Sequence, residues 1–502
     1  EEGGACGSSC GSCGCSAAAA PGEQAPAAAE PADADLEGSD DDAADLEDLA
    51  AHAHDARPPR LGLGEVLGKL KTRAAKAFGS ADAAPRDDAG RNLPGRQRVH
   101  VKTYGCPHNQ SDGEYLAGQL KDYGYTLVNS IEECDACVVN SCTVKHPSET
   151  RAMNMVSNAQ KAGKGVVLAG CVPSSNRKLA DTLEGVSMLD VTQLDRIVEV
   201  VEETIKGRTV KLLDKREGLP SLALPKVRKS KLAEIITINA GCLGNCTYCK
   251  TKLSRGKVVS YPIPDIIARA KAAAAEGVCQ IELASEDMGA YGLDIGTNIA
   301  ELIEQLADAL PPGVMLRTGM TNPPFILQHI DRIVEVLKRP NVHAFMHIPV
   351  QSGSDKVLRT MRREYTVAEF CLCADALKAG VPDVFLLTDI ICGFPSESQA
   401  DHEASLALIQ EYRFPVLNIA QFYSRPGTPA ARMRRLPGDV VKARSSEVTQ
   451  LFESYKTYDG LVGREERAWF TETDLKRRQT IGHTKAYAKV VVGQDDALLG
   501  RS

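Results

Sequence analysis

Cys242, Cys246 and Cys249 stand in C-x3-C-x2-C spacing within Gly241-Cys242-Leu243-Gly244-Asn245-Cys246-Thr247-Tyr248-Cys249. Three thiolates in one short loop can hold three corners of a cubane [4Fe-4S] cluster. The fourth iron then has no protein ligand, and an open coordination position is what a catalytic metal site requires. The competing chemistry is a zinc knuckle. Zinc takes four ligands, usually as two C-x2-C pairs, and the next cysteine after Cys249 is Cys279. A chance cluster is the third reading, because the chain has sixteen cysteines.

A second set of thiols is spread along the chain. Cys106, Cys142 and Cys171 each follow a predicted strand: Arg98–Thr103, Ala136–Asn140 and Gly165–Ala169. Helical patterns run to about Lys121, from Pro147 to Ala162 and from Gln193 to Lys206, with a short strand near Met188 and Leu189. This alternation predicts an α/β domain of the open, doubly wound kind over residues 97–206. In such a sheet the loops beyond the strands' C-terminal ends converge on the ligand site. One such cysteine reads as a small buried apolar residue; three at equivalent places predict a second three-thiolate cluster. Cys134 and Cys137 form a C-x2-C pair, but Cys137 lies in the apolar run, so both read as structural.

The same alternation resumes from Glu234 on a larger scale. Predicted strands are Glu234–Asn239, Val278–Leu283, Val314–Gly319, His343–Val350, Val384–Ile391 and Pro415–Phe422. Predicted helices between them are Pro264–Glu276, Asn298–Leu310, Ile326–Leu337, Val367–Ala379 and Asp401–Tyr412. Six strand–helix units predict a partial (β/α)6 barrel over residues 234–460. The chemically distinctive residues follow the strand ends, where barrel sites lie. They include the Cys242 loop, Ser285-Glu286-Asp287, Arg317 to Met320, Gln351 to Ser354, Asp389, and Ser424 to Thr428. Glu286, Gln351 and Asp389 are candidate ligand contacts opposite the thiols. Ser354 and Asp401 sit where helix caps belong.

The 502 residues allow two to four domains. Residues 1–96 are rich in Ala, Gly, Asp, Glu and Pro, and predict a disordered acidic tail. Its Cys6, Cys10, Cys13 and Cys15 read as incidental thiols. Residues 1–56 carry fourteen Asp and Glu and no Lys or Arg; with a net charge of -7 overall, residues 57–502 carry +7. A mildly basic folded part is compatible with an RNA partner. Residues 207–233 read as a basic linker able to touch phosphates, with Lys211, Lys215, Arg216, Lys226, Arg228, Lys229 and Lys231. From 461 to 502 the pattern turns β-like, at Arg467–Thr471 and Ala486–Val492, and predicts a small β domain that is cut short. No run of about eighteen apolar residues is present, so no membrane span is predicted. Size and spaced thiols together predict a reducing, cytoplasmic setting.

The Cys242 loop resembles the signature of the radical S-adenosylmethionine (SAM) enzymes. Taken with Tyr104-Gly105-Cys106-Pro107-His108-Asn109, Asn140-Ser141-Cys142-Thr143-Val144 and Ala169-Gly170-Cys171-Val172-Pro173, the chain resembles their methylthiotransferase branch from about Arg98 to Ser502. His347 to Ser354, Thr388 to Pro395 and Gln421 to Ala431 extend the resemblance. It implies a methylthiotransferase N-terminal domain, a radical SAM barrel and a C-terminal RNA-binding TRAM domain. It implies two [4Fe-4S] clusters and SAM as cofactors. Cys242, Cys246 and Cys249 would hold the SAM cluster, with Tyr248 beside the adenine and Glu286, Gln351 and Asp389 on other parts of SAM. Cys106, Cys142 and Cys171 would hold an auxiliary cluster carrying the sulfur to be inserted. One SAM methylates that sulfur, and a second yields the 5′-deoxyadenosyl radical that takes hydrogen from adenine C2. Cys249-Lys250-Thr251-Lys252, Arg255-Gly256 and Ser285 to Gly292 are similar to the branch that acts on threonylcarbamoyladenosine at position 37, in the tRNA anticodon loop. The same chemistry on isopentenyladenosine is the nearer alternative; a non-catalytic iron–sulfur or zinc protein that binds RNA is the other. The reaction also needs an electron donor and a sulfur donor, neither of which the sequence identifies. Some eukaryotic relatives carry a C-terminal membrane anchor, so attachment in a longer form is compatible with this reading.

Overall fold

Ala136–Ser141 and Gly165–Gly170 carry the apolar runs Ala136 to Val139 and Val166 to Ala169 and are buried almost end to end, as strands are when helices cover both faces of their sheet. In the computed structural model, which describes residues 95–144 and 146–502, they are the central strands of a six-stranded sheet. The strands are β1 (Arg98–Thr103), β2 (Thr126–Val128), β3 (Ala136–Ser141), β4 (Gly165–Gly170), β5 (Val186–Leu189) and β6 (Lys211–Leu212). All neighbours are parallel and the order is β2-β1-β3-β4-β5-β6. Side chains alternate between the faces. Cys137 and Val139 join Met153 and Val156 of helix α2 (His146–Lys161) in one core. Ala136 and Val138 join Leu116 of α1 (Pro107–Tyr123) and Val200 of α4 (Ile197–Ile205) in the other. Between those helices in sequence lies the short α3 (Cys171–Ser175). Cys134 and Cys137 are therefore core residues. The tail cysteines Cys6, Cys10, Cys13 and Cys15 lie outside the described residues.

The chain steps from β1 outward to β2, then crosses back to β3 and proceeds the other way. The order reverses between β1 and β3, and the crevice at such a switch point is where open α/β sheets bind ligands. Cys106 and Cys142 follow these two strands, and Cys171 follows the next.

The second half forms the predicted partial barrel. Its strands are β7 (Ala233–Thr237), β10 (Gln280–Ala284), β11 (Met315–Arg317), β12 (Phe345–His347), β13 (Phe385–Cys392) and β14 (Val416–Gln421). Two parallel sheets, β7-β10-β11 and β12-β13-β14, are joined by bridges from Leu316 to Val342 and from Met320 to His347. A small antiparallel pair, β8 (Asn239–Ala240) and β9 (Val259–Ser260), brackets the cysteine loop and helix α5 (Thr251–Arg255). Outer helices are α6 (Ile263–Ala275), α7 (Ile299–Ala309), α8 (Ile330–Leu337), α9 (Asp355–Met361), α10 (Val367–Gly380), α11 (Gln399–Tyr412) and α12 (Gly438–Ser454). The fourth strand is three residues long, Phe345–His347, rather than the eight expected. The expected helix Ile326–Leu337 is broken into three short pieces. Helix α12 was not anticipated.

The linker reading needs correction. Residues 211–212 belong to the first sheet as β6. Lys226 and Arg228 are not free for phosphates. The Lys226 side chain is 1% exposed and pairs with Glu114 at 3.1 Å and Glu234 at 3.1 Å. Arg228 pairs with Glu234 and with Glu276. Lys226 also donates to Ile235 O, as does Ser111 Oγ of α1. The linker and α1 thus cover the free edge of β7, which would otherwise present unpaired backbone groups.

Residues from Ala468 form one three-stranded antiparallel sheet, β15 (Ala468–Asp474), β16 (Gln479–Thr484) and β17 (Lys489–Gly493). It docks at the N-terminal ends of the barrel strands. Tyr487 and Ala488 pack with Phe345, Phe385 and Val416, and Ala344 N donates to Lys485 O at 2.7 Å. Among the described residues no helix is long and apolar enough to cross a membrane.

Candidate active site

The cysteine loop leaves β8 through Gly241, whose φ of +84° is left-handed; a Cβ there would meet Lys257 O at 2.1 Å. Glycine is what this close approach allows. The loop is then pinned at many points. Cys249 N donates to Cys246 O at 3.2 Å, Thr251 N to Cys249 Sγ at 3.4 Å, and Lys252 Nζ to Leu243 O at 3.1 Å and Asn245 Oδ1 at 2.8 Å. A Cβ on Gly244 would lie 3.6 Å from both Cys242 Sγ and Cys246 Sγ, so the two sulfurs flank that residue. Burial pushes the Cys242 thiol up to about 12, with Asp287 adding to the effect. Burial also raises Cys246, opposed by Arg363, whose Nη1 donates to its sulfur at 3.3 Å. Thiols so reluctant to ionise become thiolates when a metal cation compensates them.

The other triplet is assembled by two glycines. At Gly105 (φ +115°) a Cβ would stand 2.3 Å from Cys142 Cβ and 2.6 Å from Cys142 Sγ. At Gly170 (φ +86°) it would stand 2.4 Å from Asn140 Oδ1 and from Ser141 O. Cys106 occupies the N-cap of α1 and makes no capping bond with its side chain. Its thiol is pushed well up, first by its hydrogen bond with Cys142 and then by burial. Cys171 opens α3, and burial raises it to about 11. Each triplet offers three sulfurs carried by neighbouring loops. Among the described residues no group of three or more His, Cys, Asp or Glu side chains converges on a single ion. Three spaced sulfurs fit three corners of an iron–sulfur cube better than the closed tetrahedron of structural zinc.

Arg255 joins the two halves. It ends α5, six residues beyond Cys249, and that helix packs against α3. Its Nη2 donates to Asp112 Oδ2 at 2.5 Å and Asn109 Oδ1 at 3.3 Å, and its Nε pairs with Glu286 Oε1 at 3.0 Å. His108 Nδ1 meets the same Glu286 oxygen at 2.9 Å. Burial alone would raise the Glu286 carboxyl, yet His108 and Arg255 hold it below its usual value. The Arg255 charge also acts on Cys106 and Cys171.

Glu286 couples the domains through Oε1, which meets both His108 and Arg255, while its Oε2 is buried without a partner. Its neighbour Asp287 faces the SAM-type loop instead. It is buried, receives Asn322 N at 3.1 Å and Nδ2 at 2.6 Å, and is pushed up to about 6 by burial. Gln351 sits at φ +69° beyond β12, and its Oε1 is buried without a partner. It exchanges backbone bonds with Asp389 and Ile391. Asp389 Oδ1 accepts from His347 Nε2 and Asn418 Nδ2, both at 2.8 Å. Tyr248 packs with Val357, Met361, Phe394 and Ala430, and its hydroxyl accepts from Arg363 Nη1 at 3.5 Å. Arg317 turns away from the mouth. Its guanidinium lies over Phe345 and Tyr487 at the docked C-terminal sheet. Ser354 occupies an N-cap, but its hydroxyl donates to Asp401 Oδ1 rather than capping. Asp401 forms a capping box with Ser398. Sequence reasoning missed Arg363, which lies in no motif that the thiols suggest.

Thr247 fixes a basic rim beside the loop. Its N donates to Met361 O at 2.9 Å, its Oγ1 to Thr360 O at 3.1 Å, and its O accepts from Ala430 N at 2.8 Å. Arg359 and Arg362 flank Met361; Arg432, Arg434 and Arg435 surround Met433, which packs in the Tyr248 cluster. All five arginines are exposed, and no described residue pairs with their guanidinium groups.

A six-stranded partial barrel with this loop after its first strand defines a radical SAM enzyme. The family model described as the Radical SAM superfamily matches residues 236–409, and that described as Uncharacterized protein family UPF0004 matches residues 98–189. The chain is 46% identical over 444 residues to the threonylcarbamoyladenosine tRNA methylthiotransferase of Homo sapiens, covering 87% of this chain and 76% of that protein. It is 50% identical over 416 residues to the protein of that name in Drosophila melanogaster, covering 81% and 75%. To the probable threonylcarbamoyladenosine tRNA methylthiotransferase of Pyrococcus horikoshii it is 40% identical over 351 residues, covering 69% and 82%. The chain belongs to the threonylcarbamoyladenosine tRNA methylthiotransferase family.

Proposed function

We propose that the enzyme converts N6-threonylcarbamoyladenosine at position 37 of tRNA to its 2-methylthio derivative, using two [4Fe-4S] clusters. Cys242, Cys246 and Cys249 hold one, and Cys106, Cys142 and Cys171 hold the other. When bound with SAM, the first supplies reductive cleavage of the sulfonium, and the second supplies the sulfur. The observation that carries this reading is Arg255, which is bonded to both domains and acts electrostatically on two thiols of the second triplet. It keeps the two donor sets facing neighbours.

The chain's own residues supply the setting. Arg363 places a positive charge against Cys246, favouring the thiolate. Asp287, Gln351 and Asp389 offer acceptors at the mouth for the ammonium and hydroxyls of SAM. The buried Gln351 Oε1 gains a partner when such a donor arrives, which removes the cost of an unsatisfied acceptor. The arginine rim receives phosphates of the single-stranded loop, whose unpaired base can be turned into the site. The C-terminal sheet acts as a TRAM-like RNA contact, and the enzyme works in the cytoplasm with external electron and sulfur donors.

Anaerobic reconstitution of the full chain tests this. Roughly eight irons, SAM cleavage, and methylthiolated nucleoside by mass spectrometry are expected; zinc, or no SAM cleavage, refutes it. Loss of isopentenyl-derived product in a null strain, with the threonylcarbamoyl product intact, refutes the substrate.

A further inference from the structure

Lys250 and Lys252 both follow the last cysteine of the loop, yet the fold uses them differently. Lys252 spends its ammonium on Leu243 O and Asn245 Oδ1 and so braces the loop. Lys250 is 3% exposed, and among the described residues its ammonium makes no hydrogen bond. Among the described residues its one ion pair is loose, with Glu149 Oε1 at 4.0 Å. An ammonium has three donors, and lysines are almost never this buried unless paired. A buried charge held without hydrogen bonds is an incomplete site.

Its surroundings say what completes it. On the barrel side of the loop, Asp287 acts on Cys242 and Arg363 on Cys246. Lys250 instead faces the N-terminal domain: Glu149 belongs to α2, and α5, which Lys250 caps, packs on the helix opened by Cys171. It therefore lies at the seam between the two thiol triplets, where a base must enter for its C2 to reach both. Arg425 stands beside it, with Nη1 donating to Tyr248 O at 3.3 Å and its charge acting on Lys250. Two cations against one loosely held carboxylate leave room for a second anion.

We propose that Lys250, with Arg425 at its side, binds the carboxylate of the threonyl group on the substrate adenosine and so selects it over an isopentenyl-bearing base. A threonylcarbamoyl group carries an ionised carboxylate at neutral pH, and an isopentenyl group carries only hydrocarbon. A site built to hydrogen-bond a charged group rejects an analogue lacking it, because its own buried donors are left unpaired. The inference rests on the substrate reading above and names the residues that enforce it.

The test uses reconstituted, SAM-bound enzyme and two anticodon stem-loop RNAs. One carries threonylcarbamoyladenosine, and the other carries the same nucleoside with its carboxylate replaced by a carboxamide. Wild-type enzyme should bind the carboxylate RNA about tenfold or more tightly than the carboxamide RNA. In K250Q that preference should collapse through weaker binding of the carboxylate RNA alone, and K250R should recover much of it. Wild-type enzyme indifferent to the carboxylate overturns the inference whether or not K250Q folds, as does a K250Q enzyme that keeps the full preference. Wild-type enzyme that prefers neither RNA to an unmodified loop overturns the substrate reading as well.

Discussion

Arg255 Nε lies 3.0 Å from Glu286 Oε1, and both side chains are almost wholly buried. This one contact ties the helix after the SAM-type loop to the loop after the second barrel strand. Through Asp112 and His108 it extends into the N-terminal domain. A buried network of this kind is sensitive to losing a member, because the charges left behind have no solvent to replace it.

Arg255→Met is therefore expected to destabilise the protein by about 3–5 kcal/mol, leaving Asp112 and Glu286 uncompensated. Glu286→Gln should cost less, since an amide still accepts from Arg255. Thermal or denaturant unfolding of both variants measures this. Equal stability of Arg255→Met and wild type would show that the network does not couple the domains.

The two thiol triplets should separate chemically. Cys242→Ala is expected to lose SAM cleavage together with about four irons. Cys106→Ala should also lose about four irons but keep SAM cleavage, forming no methylthiolated nucleoside. Iron analysis, 5′-deoxyadenosine assay and nucleoside mass spectrometry distinguish the variants.

The arginine rim should act through phosphates. Replacing Arg432 and Arg434 together with Gln is expected to weaken tRNA binding uniformly across tRNA sequences. For a single-stranded loop, it should lower the slope of log K against log salt by about 0.7 per lost contact. Binding titrations at several salt concentrations give the slope. An unchanged slope would place the RNA elsewhere.

The docked C-terminal sheet should be acid-sensitive. His343 and His483 are buried at its seam, and burial lowers both to about 3, helped by Arg317 and by Lys485 and Lys489 respectively. The folded form thus holds them neutral, whereas the unfolded chain protonates them below its ordinary value of about 6.5. Their contribution is fully present above about 6.5 and is lost as pH falls from there toward 3. Each imidazole should cost about 2 kcal/mol of stability by pH 5. Trp469, the only tryptophan, lies 5.9 Å from the His343 ring and reports the change by fluorescence. His343→Phe should flatten the pH dependence.

The sequence by itself determined the class of chemistry and the order of the elements. Both are local properties. A C-x3-C-x2-C loop brings its thiols together whatever surrounds it, and apolar runs alternating with helical periods specify parallel strands with covering helices. The placement of Cys106, Cys142 and Cys171 after strand ends was legible for the same reason. The tertiary structure alone decided which charges meet. Glu286 and Asp287 are neighbours in the chain, but alternate directions send one to Arg255 and the other toward Cys242. Lys226 and Arg228 looked like phosphate ligands and became buried partners of Glu234, because the linker closes the edge of β7. Arg317, read at the mouth, lies under the C-terminal sheet. Lys252 folds back onto its own loop, whereas Lys250 faces Glu149 of the adjoining domain. A long, flexible charged side chain takes its role from the desolvated partners within its reach, and those partners come from segments distant in the chain.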